Sequence, residues 1–264
     1  MNNARYDKIG KLYNLTRQAD PYMFQKIYTL LKPSIDGIYL DIGCGTGNYT
    51  TLFQQKGHTI IGIDPSTEML RKAEASDSKV IWEKAMAESM RLPHASIDGI
   101  TAMLTIHHWR NLPKACKEIN RVLKPNSQFV LFTSTPAQME GYWLNHYFPK
   151  MLKDSINQMP DITLVKNHLK KNGFLNIKTE RYFVKDDLLD HFLYCGKNRP
   201  HLYLNPQIRQ GISSFSSLAH QVEIDSGLQR LEKDIKSNKI YGVISSYKND
   251  TGDYLFLHAQ SAHS

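Results

Sequence analysis

A glycine-rich segment between two carboxylates holds the residues of this chain whose types and spacing could do chemistry. The segment YLDIGCGTGNYTTLF carries Asp41 just ahead of its glycines, and Asp64 ends the next apolar run, IIGID. The glycines are Gly43, Gly45 and Gly47. Glycine lets a backbone approach a ligand closely, and an acid about twenty residues after such a loop accepts hydrogen bonds from ribose hydroxyls. The pattern therefore predicts a nucleoside site.

The spacing of the glycines separates this site from a dinucleotide site. A dinucleotide loop reads G-x-G-x-x-G, whereas this loop reads G-x-G-x-G and has Asn48 where the third dinucleotide glycine would stand. Asp41 lies two positions before the first glycine, where its charge would repel a pyrophosphate and attract a cationic amine. We therefore expect a nucleoside with a cationic amino-acid tail, and a nicotinamide oxidoreductase is disfavoured.

Alternating strand and helix patterns must position these residues. Apolar, β-rich runs predict strands at 38–42, 59–63, 80–82, 97–104 and 128–134. Helix signals separate them, such as Asp20 as an N-cap with Pro21 in the first turn, Ser66 ahead of a second helix, and LPKACKEINRVLKPN as a third. Alternation of this kind predicts an α/β fold with parallel strands and helices on both faces.

The second half of the chain has a different order of predicted elements, with long helical segments and few strands. Residues 137–171 and 186–239 read as mostly helical, and strands are expected at about 174–184 and 253–259. We expect residues 1–136 to form an N-terminal segment plus the nucleoside-binding core. Residues 137–264 would add the remaining core strands and an inserted helical cap.

The motifs LDIGCGTG and, downstream, LP...DG resemble those of class I S-adenosylmethionine-dependent methyltransferases. The resemblance covers about residues 36–136, and the segment RYDKIGKLYNLTRQADPYM ahead of it also resembles that family. It implies a Rossmann-like open sheet of about seven strands, mostly parallel with an antiparallel last strand. It also implies S-adenosylmethionine as methyl donor and S-adenosylhomocysteine as product.

The same resemblance implies roles for individual residues. Asp41 would lie near the amine of the cofactor, the loop with Gly43, Cys44 and Gly45 near its methionyl part, and Asp64 on its ribose. Further cofactor contacts are implied for Pro65, Met69, Met86, Ala87, Leu104, Tyr13 and Arg17. Family members usually carry an acid for the adenine amino group where this chain has Met86, so backbone groups around Met86 and Ala87 would have to recognise adenine. Tyr6, Tyr13 and Arg17 lie on the N-terminal segment, which folds over the cofactor in resembling proteins.

Two neighbouring histidines follow the fourth strand, where acceptors usually lie in this family. His107 and His108 stand in MLTIHHWRNL, read as extended, so their side chains should point opposite ways and share no metal. We expect one histidine to face the pocket, where an imidazole can act as a base near neutral pH. The other would pack or cap the next helix, and a purely structural role for both is left open.

A dense aromatic stretch follows the fifth strand. GYWLNHYFP contains Tyr142, Trp143 and Tyr147, together with Phe148. These rings could form a hydrophobic wall for the acceptor. They could equally be core between the cap and the sheet.

Composition and charge exclude several classes of protein. Hydrophobic residues make up 41% and charged residues 22%, which is typical of a globular protein. The 3 cysteines are far apart, so neither a disulfide framework nor a zinc site is expected. The apolar runs are of strand length and the first residues lack the pattern of a secretory signal, so we expect a cytoplasmic protein without membrane spans.

The functions that remain differ in their acceptor. The leading hypothesis is a methyltransferase acting at O, N or C of a small molecule. A net charge of +8 permits nucleic acid, and hence a tRNA or rRNA methyltransferase, but the charge forms no basic stripe. The chain also lacks the Asn/Asp-Pro-Pro-aromatic and Pro-Cys motifs of two nucleic-acid chemistries. A cofactor-binding module without turnover is the third hypothesis.

Overall fold

One seven-stranded sheet organises the fold. A computed structural model of the protein describes residues 16–77 and 79–262, and its strands run in the order β3-β2-β1-β4-β5-β7-β6. Strand β7 pairs antiparallel with β5 and β6, and the other pairings are parallel. The strands are β1 Ile38–Ile42, β2 Thr59–Asp64, β3 Ile81–Lys84, β4 Ile97–Met103, β5 Leu123–Thr133, β6 Phe174–Tyr182 and β7 Tyr254–Ser261. The predicted fold class is therefore confirmed.

Helices cover both faces of this sheet. Alternate residues of β1 belong to two separate hydrophobic clusters. Tyr39 packs in the first cluster, and Leu40 and Ile42 pack in the second. This follows from the two-residue period of a strand. In the described residues the helices are α1 Pro21–Leu31, α2 Asn48–Gln55, α3 Thr67–Ser76, α4 Leu112–Val122, α5 Pro136–Glu140, α6 Pro149–Ile156, α7 Ile162–Lys171, α8 Pro206–Gln210, α9 Ser213–Ser217, α10 Gln221–Lys236 and α11 Ile240–Ser246.

The first described helix begins as its sequence predicts. The side chain of Asp20 accepts a hydrogen bond from Met23 N at 3.0 Å, and Pro21 occupies the first turn. The helix ends at Leu31, where Lys32 adopts a left-handed conformation with φ 52°. Capping of this kind is worth about 1 kcal/mol and fixes where α1 starts above the sheet.

A cap of short helices is inserted on either side of β6. It comprises residues 134–159 and 183–249, and its aromatic side chains belong to the same hydrophobic cluster as β5 and β7. The prediction of helix from residue 186 is wrong up to residue 199, where the described backbone forms turns. Side chains and backbone from elsewhere satisfy its amides, since Leu189 N donates to Asp20 and His191 N to Thr16 O.

None of the helices in the part of the chain described here is long and apolar enough to cross a bilayer.

Candidate active site

The glycine loop joins the end of β1 to the start of α2. Gly43 N and Cys44 N both donate to Ile63 O, at 2.8 and 3.0 Å, which fixes the loop against the end of β2. A Cβ on Gly43 would lie 2.1 Å from Thr105 Oγ1, and one on Gly47 would lie 2.4 Å from the Trp82 ring. Both positions exclude a side chain because of packing.

Gly45 differs from its two neighbours because it faces open space. Its φ is +56°, a left-handed conformation that favours glycine, and a Cβ added there would meet nothing within 4 Å. Gly45 lines both of the adjoining cavities described below. A ligand in either cavity can therefore approach the backbone closely at Gly45.

Asp64 links the end of β2 to the glycine loop. Its Oδ2 accepts from Gly45 N at 3.0 Å and its Oδ1 from Ser66 N at 2.8 Å. Burial raises the pKa of this carboxyl, while the two backbone hydrogen bonds lower it. Each carboxylate oxygen can accept a second hydrogen bond, so Asp64 can still receive the two hydroxyls of a ribose.

Asp41 is a buried acid whose described hydrogen-bond partners are neutral. Its oxygens accept from Thr50 Oγ1 at 2.6 Å and Thr101 Oγ1 at 3.1 Å, and burial raises its pKa from 3.8 to about 6. It lines a small cavity beside the loop, as does Thr46, whose buried Oγ1 has no hydrogen-bond partner among the described residues. A ligand that brings a cationic amine and a polar tail would satisfy both groups.

The N-terminal strap, residues 16–20, closes this small cavity from above. Arg17 forms an ion pair with Asp190 of the cap, and Asp190 also accepts from Tyr49 OH at 3.2 Å. Asn48 Nδ2 donates to Arg17 O at 2.6 Å, which ties the strap to the start of α2. Arg17 lines both this cavity and the larger one, and its predicted contact with the cofactor stays a prediction, whereas Tyr6 and Tyr13 fall outside the described residues.

A larger cavity continues from the glycine loop into the cap. Its volume is about 170 Å³, and it shares Arg17, Gly43 and Gly45 with the small cavity. At its core end the predicted cofactor residues come together, namely Gly43, Gly45, Asp64, Pro65, Met69 and Leu104. Cys44 and Asp41 line the small cavity beside it.

The two histidines do not have the geometry that their sequence suggested. Ile106–His108 forms a turn of 3₁₀ helix, and the two imidazole rings lie side by side with centroids 3.9 Å apart. Both line the large cavity, so the prediction that they point opposite ways is wrong. The helix that follows is capped by Asn111 instead, whose side chain accepts from Lys114 N.

The segment after β3, with Met86, Ala87 and Glu88, holds the start of α4 and lines neither cavity. Neither Met86 nor Ala87 lines either of the two cavities in the described part of the chain, and Met86 is 40% exposed. Glu88 accepts from Arg110 N and Asn111 N, at the start of α4. An adenine contact from Met86 or Ala87 stays a prediction.

The aromatic stretch after β5 is core. Tyr142 stacks on Tyr194 with ring centroids 3.7 Å apart, Trp143 Nε1 donates to Lys197 O at 3.0 Å, and Tyr147 OH donates to Asp234 at 2.9 Å. All three predicted rings are at most 2% exposed and line none of the described cavities. The sequence left open whether Tyr142, Trp143 and Tyr147 form an acceptor wall or core between the cap and the sheet, and the structure packs these rings in the core.

Other cap residues, which the sequence did not single out, form the far end of the large cavity. We call this end the acceptor chamber. Its apolar lining consists of Met139, Met159, Phe192, Leu193, Ile212 and Leu218, and its polar lining includes Ser134, Ser155, Gln158, Ser213 and Ser214. These residues come from four separate segments without a shared motif, so only the folded chain brings them together.

The fold and the geometry together define a class of protein. In a seven-stranded sheet with β7 antiparallel, a glycine loop after β1 and an acid ending β2 lie together at a cavity that continues into the cap. The methyltransferase domain family matches residues 40–131. A putative methyltransferase from an antibiotic biosynthesis pathway of Anabaena variabilis is 31% identical, with 92% of this chain and 98% of that chain covered and a TM-score of 0.83.

The protein belongs to the class I S-adenosylmethionine-dependent methyltransferases, and S-adenosylmethionine is its cofactor. The ubiquinone/menaquinone biosynthesis C-methyltransferase of Rubrivivax gelatinosus is 33% identical over 147 residues, which are 55% of this chain and 56% of that protein. A putative methyltransferase of Dictyostelium discoideum is 24% identical over 94% of this chain and 89% of its own length. The match thus spans little more than half of the Rubrivivax relative.

Proposed function

We propose that the protein transfers a methyl group from S-adenosylmethionine to a small molecule bound in the acceptor chamber. One observation carries this proposal: a single cavity runs from Gly45 and Asp64, past both histidines, into the cap. A cofactor held at the core end would direct its methyl group toward the chamber. Class membership supports the reaction, and the continuity of the cavity supports an acceptor that binds within the chamber.

The residues at the core end have complementary roles in this proposal. Asp64 binds the ribose hydroxyls, and Asp41 attracts the amine, aided by the Thr46 hydroxyl. The backbone from Gly43 to Gly45 follows the methionyl chain. Pro65, Met69 and Leu104 surround the adenosine, and Arg17 covers the amino-acid end from the strap.

The chain itself contributes mainly alignment and proton transfer. Bound S-adenosylmethionine supplies an already activated methyl group, so holding the acceptor in line is worth roughly 7 to 11 kcal/mol of barrier. For a hydroxyl acceptor, His107 or His108 takes the proton as the acceptor oxygen bonds to the methyl carbon and the carbon–sulfur bond breaks. A positioned base of this kind contributes about 10² to 10⁴ in rate.

Calorimetry tests the cofactor half of the proposal. S-adenosylhomocysteine should bind with saturation while NAD does not, and Asp64→Asn should weaken S-adenosylhomocysteine binding by about 1 to 3 kcal/mol through lost hydrogen bonds. Glu68→Gln is the control, because Glu68 lies on α3 and pairs with Arg71 outside the cavity. An unchanged affinity in Asp64→Asn would remove Asp64 from the site.

A labelled methyl donor tests the transfer half. Incubation with a cell extract should put label into the small-molecule fraction, and His107→Ala and His108→Ala should each be compared for turnover and for cofactor affinity. A sharp loss of turnover with intact affinity identifies the base. Label confined to RNA, or to no fraction at all, would contradict the proposal.

A further inference from the structure

The acceptor chamber has no charged side chain in its described lining. Its residues from Ser134 onward are apolar, glycine, serine, glutamine and Tyr254, with no lysine, arginine, aspartate or glutamate among them. The inference drawn from this rests on the proposed function, since it takes the chamber to be the acceptor site.

The charged groups around the chamber are already engaged. The two such side chains that line the rest of the cavity are Arg17, which is paired with Asp190, and Asp64, which accepts from Gly45 N and Ser66 N. A charged acceptor would therefore lose its hydration without gaining an opposite charge from the chamber lining. Burial of an unpaired charge is costly enough that ions avoid such sites.

The chamber nevertheless offers neutral hydrogen bonding. Ser155 Oγ lies 3.0 Å from Met151 O and 2.8 Å from Ser214 Oγ, and both serines are 6% exposed. Ser155 has only one hydroxyl proton for these two partners. If it donates to Met151 O, Ser214 can offer lone pairs to a ligand, and if it donates to Ser214, the Ser214 proton is available instead. The pair can thus meet either a hydroxyl or a carbonyl group.

We propose that the acceptor is a neutral, largely apolar compound that carries hydroxyl or carbonyl groups. The six apolar side chains of the chamber cover its body. The serines and Gln158 bind its polar groups. The oxygen of a hydroxyl group beside the two histidines is then the atom that receives the methyl group. Its proton passes to an imidazole, and the sulfonium becomes a neutral thioether as the carbon–sulfur bond breaks.

Three probes of similar size and different charge test this proposal. We would titrate the complex with S-adenosylhomocysteine at pH 8 with 2-naphthol, 2-naphthoate and 2-naphthylmethylammonium, since an ordinary imidazole is neutral at that pH. Naphthol should bind at least about tenfold more tightly than either ion, which corresponds to about 1.4 kcal/mol. Equal or tighter binding of an ion, or no saturable binding of naphthol, would overturn the proposal.

A substitution that adds one charge should reverse the preference. Ser213 lines the chamber and is half-buried at the start of α9, where aspartate is well tolerated. Ser213→Asp should improve the affinity of the ammonium probe relative to naphthol by about tenfold or more. Ser216→Asp, on the exposed face of the same helix, should leave the ranking unchanged, and Ser213→Asn, which is neutral, should not favour the ammonium probe.

The outcomes separate this inference from the proposed function. Failure of S-adenosylhomocysteine to bind would contradict the proposed function itself. Normal cofactor binding with a charged probe preferred, or with Ser216→Asp acting like Ser213→Asp, would overturn the neutral acceptor alone. Circular dichroism of each variant confirms that the comparison is made on folded protein.

Discussion

Gly45 is the residue where loop geometry and ligand space meet. A methyl group at this position would enter the open space of the cavity and touch no protein atom within 4 Å. Gly45→Ala should therefore destabilise the free protein only by the left-handed strain, roughly 1 kcal/mol. Cofactor affinity should fall by more, about tenfold or beyond, because the new methyl group occupies ligand space. Calorimetry with S-adenosylhomocysteine and thermal unfolding measure the two effects.

Two other glycines provide matched controls for Gly45→Ala. Gly242 lies in α11 with nothing within 4 Å of an added Cβ, so Gly242→Ala should leave cofactor affinity unchanged. Gly43→Ala should lower the melting temperature severely, since its Cβ would lie 2.1 Å from Thr105 Oγ1. Equal affinity for Gly45→Ala and wild type would show that the ligand does not approach this loop.

The buried carboxyl of Asp41 should make cofactor binding depend on pH. Its pKa of about 6 in the free protein is raised from 3.8 by burial, and a nearby cationic amine would favour the ionised form and lower it again. Affinity for S-adenosylhomocysteine should thus rise by up to about tenfold per pH unit as pH increases towards 6, then level off. Asp41→Asn should flatten this profile. A wild-type profile without slope between pH 5 and 6 would contradict the assignment.

The same shift has a consequence for stability. A carboxyl whose pKa is higher in the folded state binds its proton more tightly there, so its contribution to stability falls as pH rises from about 4 to about 6. The cost at neutral pH is roughly 3 kcal/mol, from about 1.36 kcal/mol per pK unit. Asp41→Asn should consequently raise the melting temperature of the ligand-free protein at pH 7, while it weakens cofactor binding. Site function and fold stability are in conflict at this residue.

At the level of elements, Trp82 of β3 supports the glycine loop from below. Its ring would lie 2.4 Å from a Cβ on either Gly47 or Gly62, so the indole fills the space that both glycines leave open. Trp82 Nε1 donates to Asp77 O at 2.8 Å, which orients the ring. The loop is therefore held by packing on one side and left open to ligand on the other.

The strap of residues 16–20 connects the cap to the loop. Arg17→Gln would break the ion pair with Asp190, which is 1% exposed, and should loosen the cover over the small cavity. We expect S-adenosylhomocysteine to dissociate at least several-fold faster, because interface changes act mainly on dissociation rates. Lys26→Gln is the matched control, since Lys26 pairs with Glu180 outside both cavities. Surface plasmon resonance gives the rates, and equal dissociation from both variants would argue against the strap as a cover.

Sequence patterns predict elements well where the signal is local. The strands of the core and the capped start of α1 follow from apolar runs and from Asp20 and Pro21. The pairing of Arg17 with Asp190 spans 173 residues and has no local signal. An extended chain is the wrong prediction for the two histidines because the chain after β4 forms a 3₁₀ helix, in which neighbouring side chains can lie side by side. The acceptor chamber depends on cap packing, which no spacing in the sequence encodes.

At the scale of the whole molecule, core and cap share one interior. The hydrophobic cluster that contains Phe132 of β5 and Phe256 of β7 also contains Trp143 and Tyr203 of the cap. Phe132 and Phe256 are in contact with ring centroids 4.7 Å apart, and Trp143 and Tyr203 with centroids 5.8 Å apart. Because the cavity lies between the two parts, a ligand bound in it should stabilise both.

Hydrogen exchange tests this coupling across the molecule. S-adenosylhomocysteine should slow exchange at 43–47 in the loop and also at 187–193 in the cap. Residues of the loop line the small cavity, and so does Asp190 of the cap segment. Saturation at 100 times Kd adds about 2.7 kcal/mol to the free energy of unfolding. A subsequent neutral probe should add protection at 155–159 and 211–218, while 162–171, which packs on α4 away from the chamber, serves as internal control. Protection confined to the loop and β2 would mean that cofactor binding does not stabilise the cap.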